Sequence, residues 1–93
     1  MTRLVWTATA LVELAEAFDY VAARNLPAAR RLVDLVEAAA LLVSRRNIGR
    51  AGRRRDTFEK SVVGTRYILI YVRDEARDRT EILNVRHSAR DWT

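Results

Sequence analysis

The N-terminal half of the chain begins with a strand pattern and continues with helical spacing. Arg3–Thr7 is predicted to be a short strand, because it contains β-branched and aromatic side chains that favour extended backbone. From Ala8 to Arg24, apolar residues recur every three or four positions, as in a helix with one apolar face. Thr7 is a suitable N-cap for this helix, and Asn25–Pro27 ends it. The pattern therefore predicts a strand followed by a helix.

A second helix is predicted from Pro27 to Ser44, antiparallel to the first because only three residues break the two helical patterns. Its main apolar stripe is accompanied by a second stripe that includes Leu35 and Leu42. The resulting apolar face is wider than one neighbouring element needs. Two interpretations stay open: the helix is wedged between its partner helix and a sheet, or the second stripe lines a groove for a partner helix.

The C-terminal half changes to strand-like spacing after a basic segment, Arg45–Asp56, that we expect to be irregular. Three strands are predicted beyond it, Thr57–Val63, Arg66–Val72 and Thr80–Val85, with a hairpin turn at Gly64-Thr65 and a charged loop at Asp74–Arg79. Consecutive strands with short connections form an antiparallel meander. The order β-α-α-β-β-β therefore predicts an α+β fold, in which an antiparallel helical hairpin packs on a small antiparallel sheet with the N-terminal strand at its edge.

Composition limits the classes of function. A length of 93 residues predicts a single domain over residues 1–93, and a hydrophobic content of 49% is enough for a core. With no cysteine and one histidine, we expect neither thiol chemistry nor a metal site, and no cofactor. No apolar run approaches the length of a membrane span and no signal peptide is visible, so we expect a cytoplasmic protein without a membrane partner.

Charge adds information about partners. The chain has 17 basic and 12 acidic residues, a net charge of +5, and all basic residues except Lys60 are arginine. A guanidinium group donates two parallel hydrogen bonds, which suits carboxylates and phosphates. A GC-rich coding sequence would also favour arginine, so the arginine content by itself identifies no partner. The net charge predicts an anionic partner, either an acidic protein or a nucleic acid.

Short motifs along nearly the whole chain resemble the RelE/ParE toxins. In order, they are Trp6-Thr7 with Ala10 and Leu14, Asp19-Tyr20-Val21, Pro27-Ala28-Ala29, Ile48-Gly49-Arg50-Ala51-Gly52-Arg53, Thr57-Phe58-Glu59, Gly64-Thr65-Arg66-Tyr67-Ile68-Leu69-Ile70-Tyr71, Ile82-Leu83-Asn84-Val85-Arg86-His87 and Arg90-Asp91-Trp92. The resemblance implies the fold predicted above. It also implies a growth-inhibiting toxin of a type II toxin–antitoxin system, of the kind that serves plasmid stabilization. A cognate, acidic, ParD-like antitoxin would neutralise it, and operator DNA would be bound only through the antitoxin complex.

Two activities occur among the RelE/ParE toxins that the sequence resembles. One branch cleaves messenger RNA in the ribosome, whereas the other inhibits DNA gyrase and performs no bond chemistry of its own. A metal-independent endoribonuclease needs proton-transfer groups and cations at the scissile phosphate. If the protein is a ribonuclease, Glu59 or His87 would transfer protons and Arg66 and Arg86 would bind the phosphate. The alternative for His87 is a surface histidine at the end of a strand.

Departures from the ribonuclease pattern favour the gyrase branch. Ribonuclease members often carry an arginine three positions before the tyrosine that closes the central strand. In this chain that tyrosine is Tyr71 and the position is occupied by Ile68, which is expected to be buried. Those members often end in a tyrosine, whereas this tail offers Ser88 and Trp92. The basic segment and the tail look more like ParE members. We therefore predict a ParE-like gyrase inhibitor without catalytic residues, with a RelE-like, ribosome-dependent mRNA endoribonuclease as the alternative.

The predicted contact residues form two groups. Exposed cations and aromatic side chains are predicted to bind the target: Arg50, Arg53, Arg86, His87, Arg90 and Trp92. Apolar helix residues are predicted to bind the antitoxin: Leu11, Leu14, Phe18, Leu35 and Leu42. Alternatives are structural pairing of Arg50 and Arg53 with carboxylates at the sheet edge, and a core position for Trp92. The remaining aromatic side chains are expected in the core: Trp6, Tyr20, Phe58, Tyr67 and Tyr71.

Overall fold

The computed structural model describes residues 2–89, in which two helices and five strands are formed. The strands are β1 (Arg3–Trp6), β2 (Arg50–Ala51), β3 (Phe58–Ser61), β4 (Tyr67–Asp74) and β5 (Arg79–His87), and the helices are α1 (Ala8–Ala22) and α2 (Leu26–Arg45). The predicted order of helices and strands is confirmed. The basic segment was expected to be irregular. This expectation was wrong for two of its residues, which form β2 and pair with β3.

The five strands form one sheet in the order β1-β5-β4-β3-β2. β3, β4 and β5 form the predicted antiparallel meander. β1 lies at the edge, as expected, but it runs parallel to β5, with Arg3 opposite Arg79 and Trp6 opposite Ile82. The sheet is therefore mixed and not wholly antiparallel. The backbone N–H of Thr2, just before β1, donates to the carbonyl of Ser44 at the end of α2, 2.8 Å away.

Side-chain caps begin both helices. The Thr7 hydroxyl accepts from the backbone N–H of Ala10 (3.1 Å) and donates to the carbonyl of Ile82 (2.9 Å), which fixes the start of α1 on β5. The Asn25 side chain accepts from the N–H of Ala28 (3.0 Å) at the start of α2, and Pro27 occupies the first turn, where its missing N–H costs no helical hydrogen bond. These local signals explain why the helix boundaries were predictable.

The core lies between the helical hairpin and one face of the sheet. Its buried members are Ala10, Ala17, Leu32, Val36, Ala40 and Val43 from the helices and Val62, Tyr67, Leu69, Tyr71, Ile82 and Val85 from the sheet side. Trp6 and Phe58 pack against it, as expected. Tyr20 was expected in the core, but it is 52% exposed on the flank of α1, where the guanidinium of Arg24 lies 4.6 Å from its ring centre.

The opposite face of the sheet carries Ile68, which alternates with the core residue Leu69. Its predicted burial is confirmed, with 6% of its surface exposed. β5 also contains a bulge, because Leu83 is an extra residue between Ile82 and Asn84, whose partners are adjacent in β4. The bulge lets Ile82 and Val85 both face the helices, whereas Asn84 faces the other side of the sheet.

Candidate functional site

The basic loop, residues 45–56, is the most strongly charged surface in the described part of the chain. All of its arginines are exposed: Arg45, Arg46, Arg50, Arg53, Arg54 and Arg55. Clustered guanidinium groups repel one another, so bonds from elsewhere in the fold are needed to hold the segment in one arrangement. Side chains from three strands supply that support.

Glu59 on β3 holds the middle of the basic loop. Its side chain is only 4% exposed, and one oxygen lies 3.3 Å from the guanidinium of Arg50 while the other accepts from the backbone N–H of Arg53 at 3.0 Å. The Arg50 side chain remains 60% exposed, so its pairing with Glu59 leaves part of the guanidinium open to a partner. Arg50 thus combines the two alternatives expected from the sequence. It pairs with a carboxylate of the sheet, and it is exposed as a binding residue would be.

Tyr71 on β4 holds the beginning of the basic loop. Its buried hydroxyl accepts from the backbone N–H of Gly49 (2.9 Å) and donates to the side-chain oxygen of Asn47 (2.7 Å). A Cβ at Gly49 would overlap the Tyr71 hydroxyl, so this close approach requires glycine. Burial raises the pKa of the Tyr71 hydroxyl above 10.0, although the Gly49 hydrogen bond and the charge of Arg73 act in the opposite direction. The hydroxyl is therefore neutral and able to donate at physiological pH.

The end of the basic loop is closed by Thr57 and tied to the sheet by Asn84. The Thr57 hydroxyl donates to the carbonyl of Arg54 (2.6 Å), and its own carbonyl accepts from the N–H of Gly52 (2.8 Å). The guanidinium of Arg54 donates to the side-chain oxygen of Asn84 at 2.8 Å. Asn84 is buried, with 6% exposure, so this contact brings the loop against the sheet.

A second set of bonds continues from Asn84 to α1. The Asn84 amide donates to Glu13, and the same carboxylate oxygen accepts from the backbone N–H of Val85, both at 3.0 Å. The other oxygen of Glu13 lies 3.2 Å from the guanidinium of Arg86. Sequence reasoning did not predict the bonds of Glu13, Asn84 and Arg54, because the bonded partners are 30 or more positions apart and local spacing does not show such pairs.

His87, at the end of β5, packs against Tyr67. The two rings meet edge to face with centres 5.3 Å apart, and Nδ1 of His87 accepts from the backbone N–H of Ala89 at 3.1 Å. His87 and the adjacent Arg86 point to opposite faces of the sheet, since neighbouring side chains alternate along a strand. The remaining predicted target-binding residues, Arg90 and Trp92, lie outside the described residues.

The four residues considered for ribonuclease chemistry do not converge on one point. Across β4, Glu59 pairs with Ile70 whereas His87 pairs with Tyr67. This register separates Glu59 and His87 by about 10 Å along the strands and about 10 Å across them. Glu59 also lies on the face away from the helices, and His87 on the helix face. Arg66 precedes β4, and Arg86 is paired with Glu13.

The residues predicted to bind an antitoxin lie along the two helices. Leu11 and Leu42 are exposed, by 52% and 36%. Leu14, Phe18 and Leu35 are half-buried, and Leu14 and Leu35 pack against the core. The second stripe of α2 is thus partly used in packing and partly open.

Two cavities of about 340 and 240 Å³ lie at the end of the helical hairpin and meet at Tyr20, Tyr67 and His87. We call them together the hairpin-end groove. Leu35 lines the smaller cavity. Within residues 2–89, no group of histidine and carboxylate side chains is placed to hold a metal ion. No helix in this range is both long and apolar enough to cross a membrane.

Similarity to known proteins agrees with this architecture. The family model of the ParE toxin of type II toxin–antitoxin systems, parDE, matches residues 4–92. The structure is similar to that of a chromosomal ParDE system from P. aeruginosa, with a TM-score of 0.79, 20% identity and coverage of 94% of this chain and 96% of that chain.

It is also similar to the RelBE2 toxin–antitoxin complex from Mycobacterium tuberculosis, with a TM-score of 0.67, 30% identity and coverage of 96% of this chain and 93% of that chain. No curated protein matches the chain by sequence. The family match over nearly the whole length, together with the shared fold, identifies the chain as a member of the ParE toxin family of type II toxin–antitoxin systems.

Proposed function

We propose that this toxin inhibits DNA gyrase by binding it through the exposed arginines of the basic loop. The observation that carries the proposal is the anchoring of that loop to Glu59, Tyr71 and Asn84. A charged surface that is already held in place loses less conformational freedom when it binds a large partner. Arginine is also among the residue types that most often dominate binding energy.

The geometry of the ribonuclease candidates supports binding over catalysis. A general base must approach the proton it removes to hydrogen-bonding distance. Glu59 is buried and already accepts two bonds from the basic loop, so it is not placed to accept a proton from RNA. His87 lies on the other face of the sheet, and Ile68 is buried where ribonuclease members often carry arginine.

An acidic, ParD-like antitoxin completes the proposal. The two structures of similar fold are a ParDE toxin–antitoxin system from P. aeruginosa and a RelBE2 toxin–antitoxin complex from M. tuberculosis. In this chain, a net charge of +5 and the exposed apolar residues Leu11 and Leu42 are complementary to an acidic partner with apolar anchors. Apolar contacts would supply affinity, and arginine–carboxylate pairs would speed association and set the register.

The target is tested with purified toxin in two assays, gyrase-dependent supercoiling and translation by purified ribosomes. We expect loss of supercoiling and intact messenger RNA. The variant Arg55→Gln should weaken gyrase inhibition, because Arg55 is an exposed cation of the basic loop. Its control is Arg77→Gln, which removes another exposed arginine, 72% accessible, from the turn between β4 and β5. Cleavage of messenger RNA with unaffected gyrase would favour the endoribonuclease, and equal effects of the two variants would exclude the basic loop as the contact.

The antitoxin surface is tested by co-expressing the toxin with the protein encoded beside it and measuring their affinity. Leu11→Asp and Leu42→Asp place a charge in the proposed apolar contact and should weaken the complex while the toxin stays folded. Ala76→Asp is the control, since it adds the same charge at an exposed position of the β4–β5 turn. Unchanged affinity in both leucine variants would contradict this surface.

A further inference from the structure

The two lobes of the hairpin-end groove carry opposite charges. The larger lobe lies between α1 and the end of β5 and is lined by Glu13 and Glu16. The smaller lobe lies between α2 and the turn before β4 and is lined by Arg31 and Arg66. Arg86 already pairs with Glu13. Glu16, Arg31 and Arg66 are exposed and form no ion pair with another described residue, so they are available to a ligand.

Tyr67 lines both lobes, and its hydroxyl has no hydrogen-bond partner among residues 2–89. The residue is only 7% exposed. A buried hydroxyl without a partner destabilises a fold, because it has lost its hydrogen bonds to water without replacing them. Tyr71, by contrast, satisfies its hydroxyl with Gly49 and Asn47. The unsatisfied donor of Tyr67 therefore marks a place where an external acceptor would be stabilised.

Apolar side chains complete the smaller lobe. Val21 of α1 and Leu32 and Leu35 of α2 line it beside the two arginines. Such a wall accepts an apolar side chain, which a sugar–phosphate backbone does not provide. The carboxylate of Glu16 in the other lobe would also repel a phosphate. The lining thus favours a peptide over a nucleic acid.

We propose that the hairpin-end groove binds one segment of the antitoxin in a fixed orientation. An acidic side chain of that segment lies at Arg31 and Arg66, an apolar side chain lies on Leu32 and Leu35, and a basic side chain lies at Glu16. An acceptor oxygen of the segment receives the Tyr67 hydroxyl. This inference rests on the proposed function for the identity of the partner, but its chemistry follows from the groove.

The charge order is tested by NMR titration of the full chain with short acetylated peptide amides. The bipolar peptide is Glu-Ala-Leu-Ala-Lys, and its matched controls replace both ends with Glu, with Lys or with Gln. We expect the bipolar peptide to bind most tightly and to shift the amide signals of residues 64–67. In the variant Glu16→Lys, the preference should move to the peptide with two Glu ends. An order of affinities that ignores the charges, or a preference for a short RNA oligonucleotide, would overturn the proposal.

The hydroxyl is tested with Tyr67→Phe, which removes only the unsatisfied oxygen. We expect the variant to melt at the same or a higher temperature and to bind the bipolar peptide about tenfold more weakly. A large drop in melting temperature would show that the hydroxyl supports the fold, and unchanged peptide affinity would show that it contacts no ligand; either result would overturn the assignment.

These measurements separate the two proposals. A protein that binds the bipolar peptide but leaves gyrase active would contradict the proposed function alone. A gyrase inhibitor that shows no charge preference among the peptides would contradict the groove proposal alone.

Discussion

Two charged loops of this toxin differ in how they are held. The turn between β4 and β5, residues 75–78, is closed mainly by local bonds, from the N–H of Arg77 to Asp74 at the end of β4 and from the N–H of Asp78 to Glu75. Asp78 adopts a positive φ of 53°, as tight turns often require. Outside the turn, the N–H of Arg3 on β1 donates to the carbonyl of Asp78, and the Glu75 carboxylate lies 3.3 Å from the guanidinium of Arg73 on β4.

The basic loop, in contrast, is fixed by side chains of the sheet. Glu59, Tyr71 and Asn84 lie on three different strands, and each bonds to a different part of the loop. Charged composition is therefore common to both loops, whereas anchoring by side chains from three different strands is particular to the basic loop. The comparison indicates that the backbone that carries the exposed arginines of the basic loop is fixed by the fold, whereas Arg77 of the β4–β5 turn, 72% exposed, lies chiefly in solvent.

Removal of the Glu59 carboxylate should have the largest effect on the anchoring that distinguishes the basic loop from the β4–β5 turn. Glu59→Ala leaves the Arg53 N–H and the Arg50 guanidinium without their partner, and we expect a loss of about 2–3 kcal/mol in the free energy of unfolding. Urea denaturation measures it. The control Glu75→Ala removes a carboxylate that is 73% exposed and pairs with Arg73, and because partly exposed ion pairs contribute little, it should change stability by less than about 1 kcal/mol. Equal losses in both variants would mean that the two loops are anchored alike.

Tyr71→Phe should have a smaller effect. The substitution keeps the ring in the core and removes the hydroxyl that bonds to Gly49 and Asn47, so we expect a loss of about 1–2 kcal/mol. Hydrogen exchange at the Gly49 amide should become faster while the amides of the β4–β5 turn keep their rates. A stability unchanged from the wild type would show that the basic loop does not depend on this bond.

The smallest expected effect is alkaline sensitivity. Because burial raises the pKa of Tyr71 above 10.0, the unfolded chain loses this proton at a lower pH than the folded protein. The stabilising contribution is thus complete below pH 10 and is lost as the pH rises through the folded pKa. Denaturation at several pH values should show a steeper decline for the wild type than for Tyr71→Phe. Parallel declines would contradict the raised pKa.

Local patterns predicted most of the fold. The caps Thr7 and Asn25 and the regular spacing of apolar residues defined the helices, and the run before Tyr71 defined the central strand. Periodicity could not show that β1 runs parallel to β5, because direction depends on the three-dimensional path of the hairpin. It also could not detect β2, which is only two residues long.

The candidate site was predictable only in part. The arginines of the basic loop stood out by composition, but the bonds that hold them join distant positions, such as Arg54 with Asn84. The side chain of Tyr71 was correctly expected in the core, yet nothing in the sequence distinguished its satisfied hydroxyl from the unsatisfied hydroxyl of Tyr67. Such differences depend on packing geometry that a linear pattern does not contain.

The pairing of β1 with β5 has a consequence for synthesis of the toxin. β1 can complete its hydrogen bonds only after β5 has left the ribosome, since Arg3 pairs with Arg79. Contacts between residues so far apart in sequence form slowly, because the chain between them must first be ordered. A nascent chain therefore stays without its finished sheet until β5 has been synthesised and has left the ribosome.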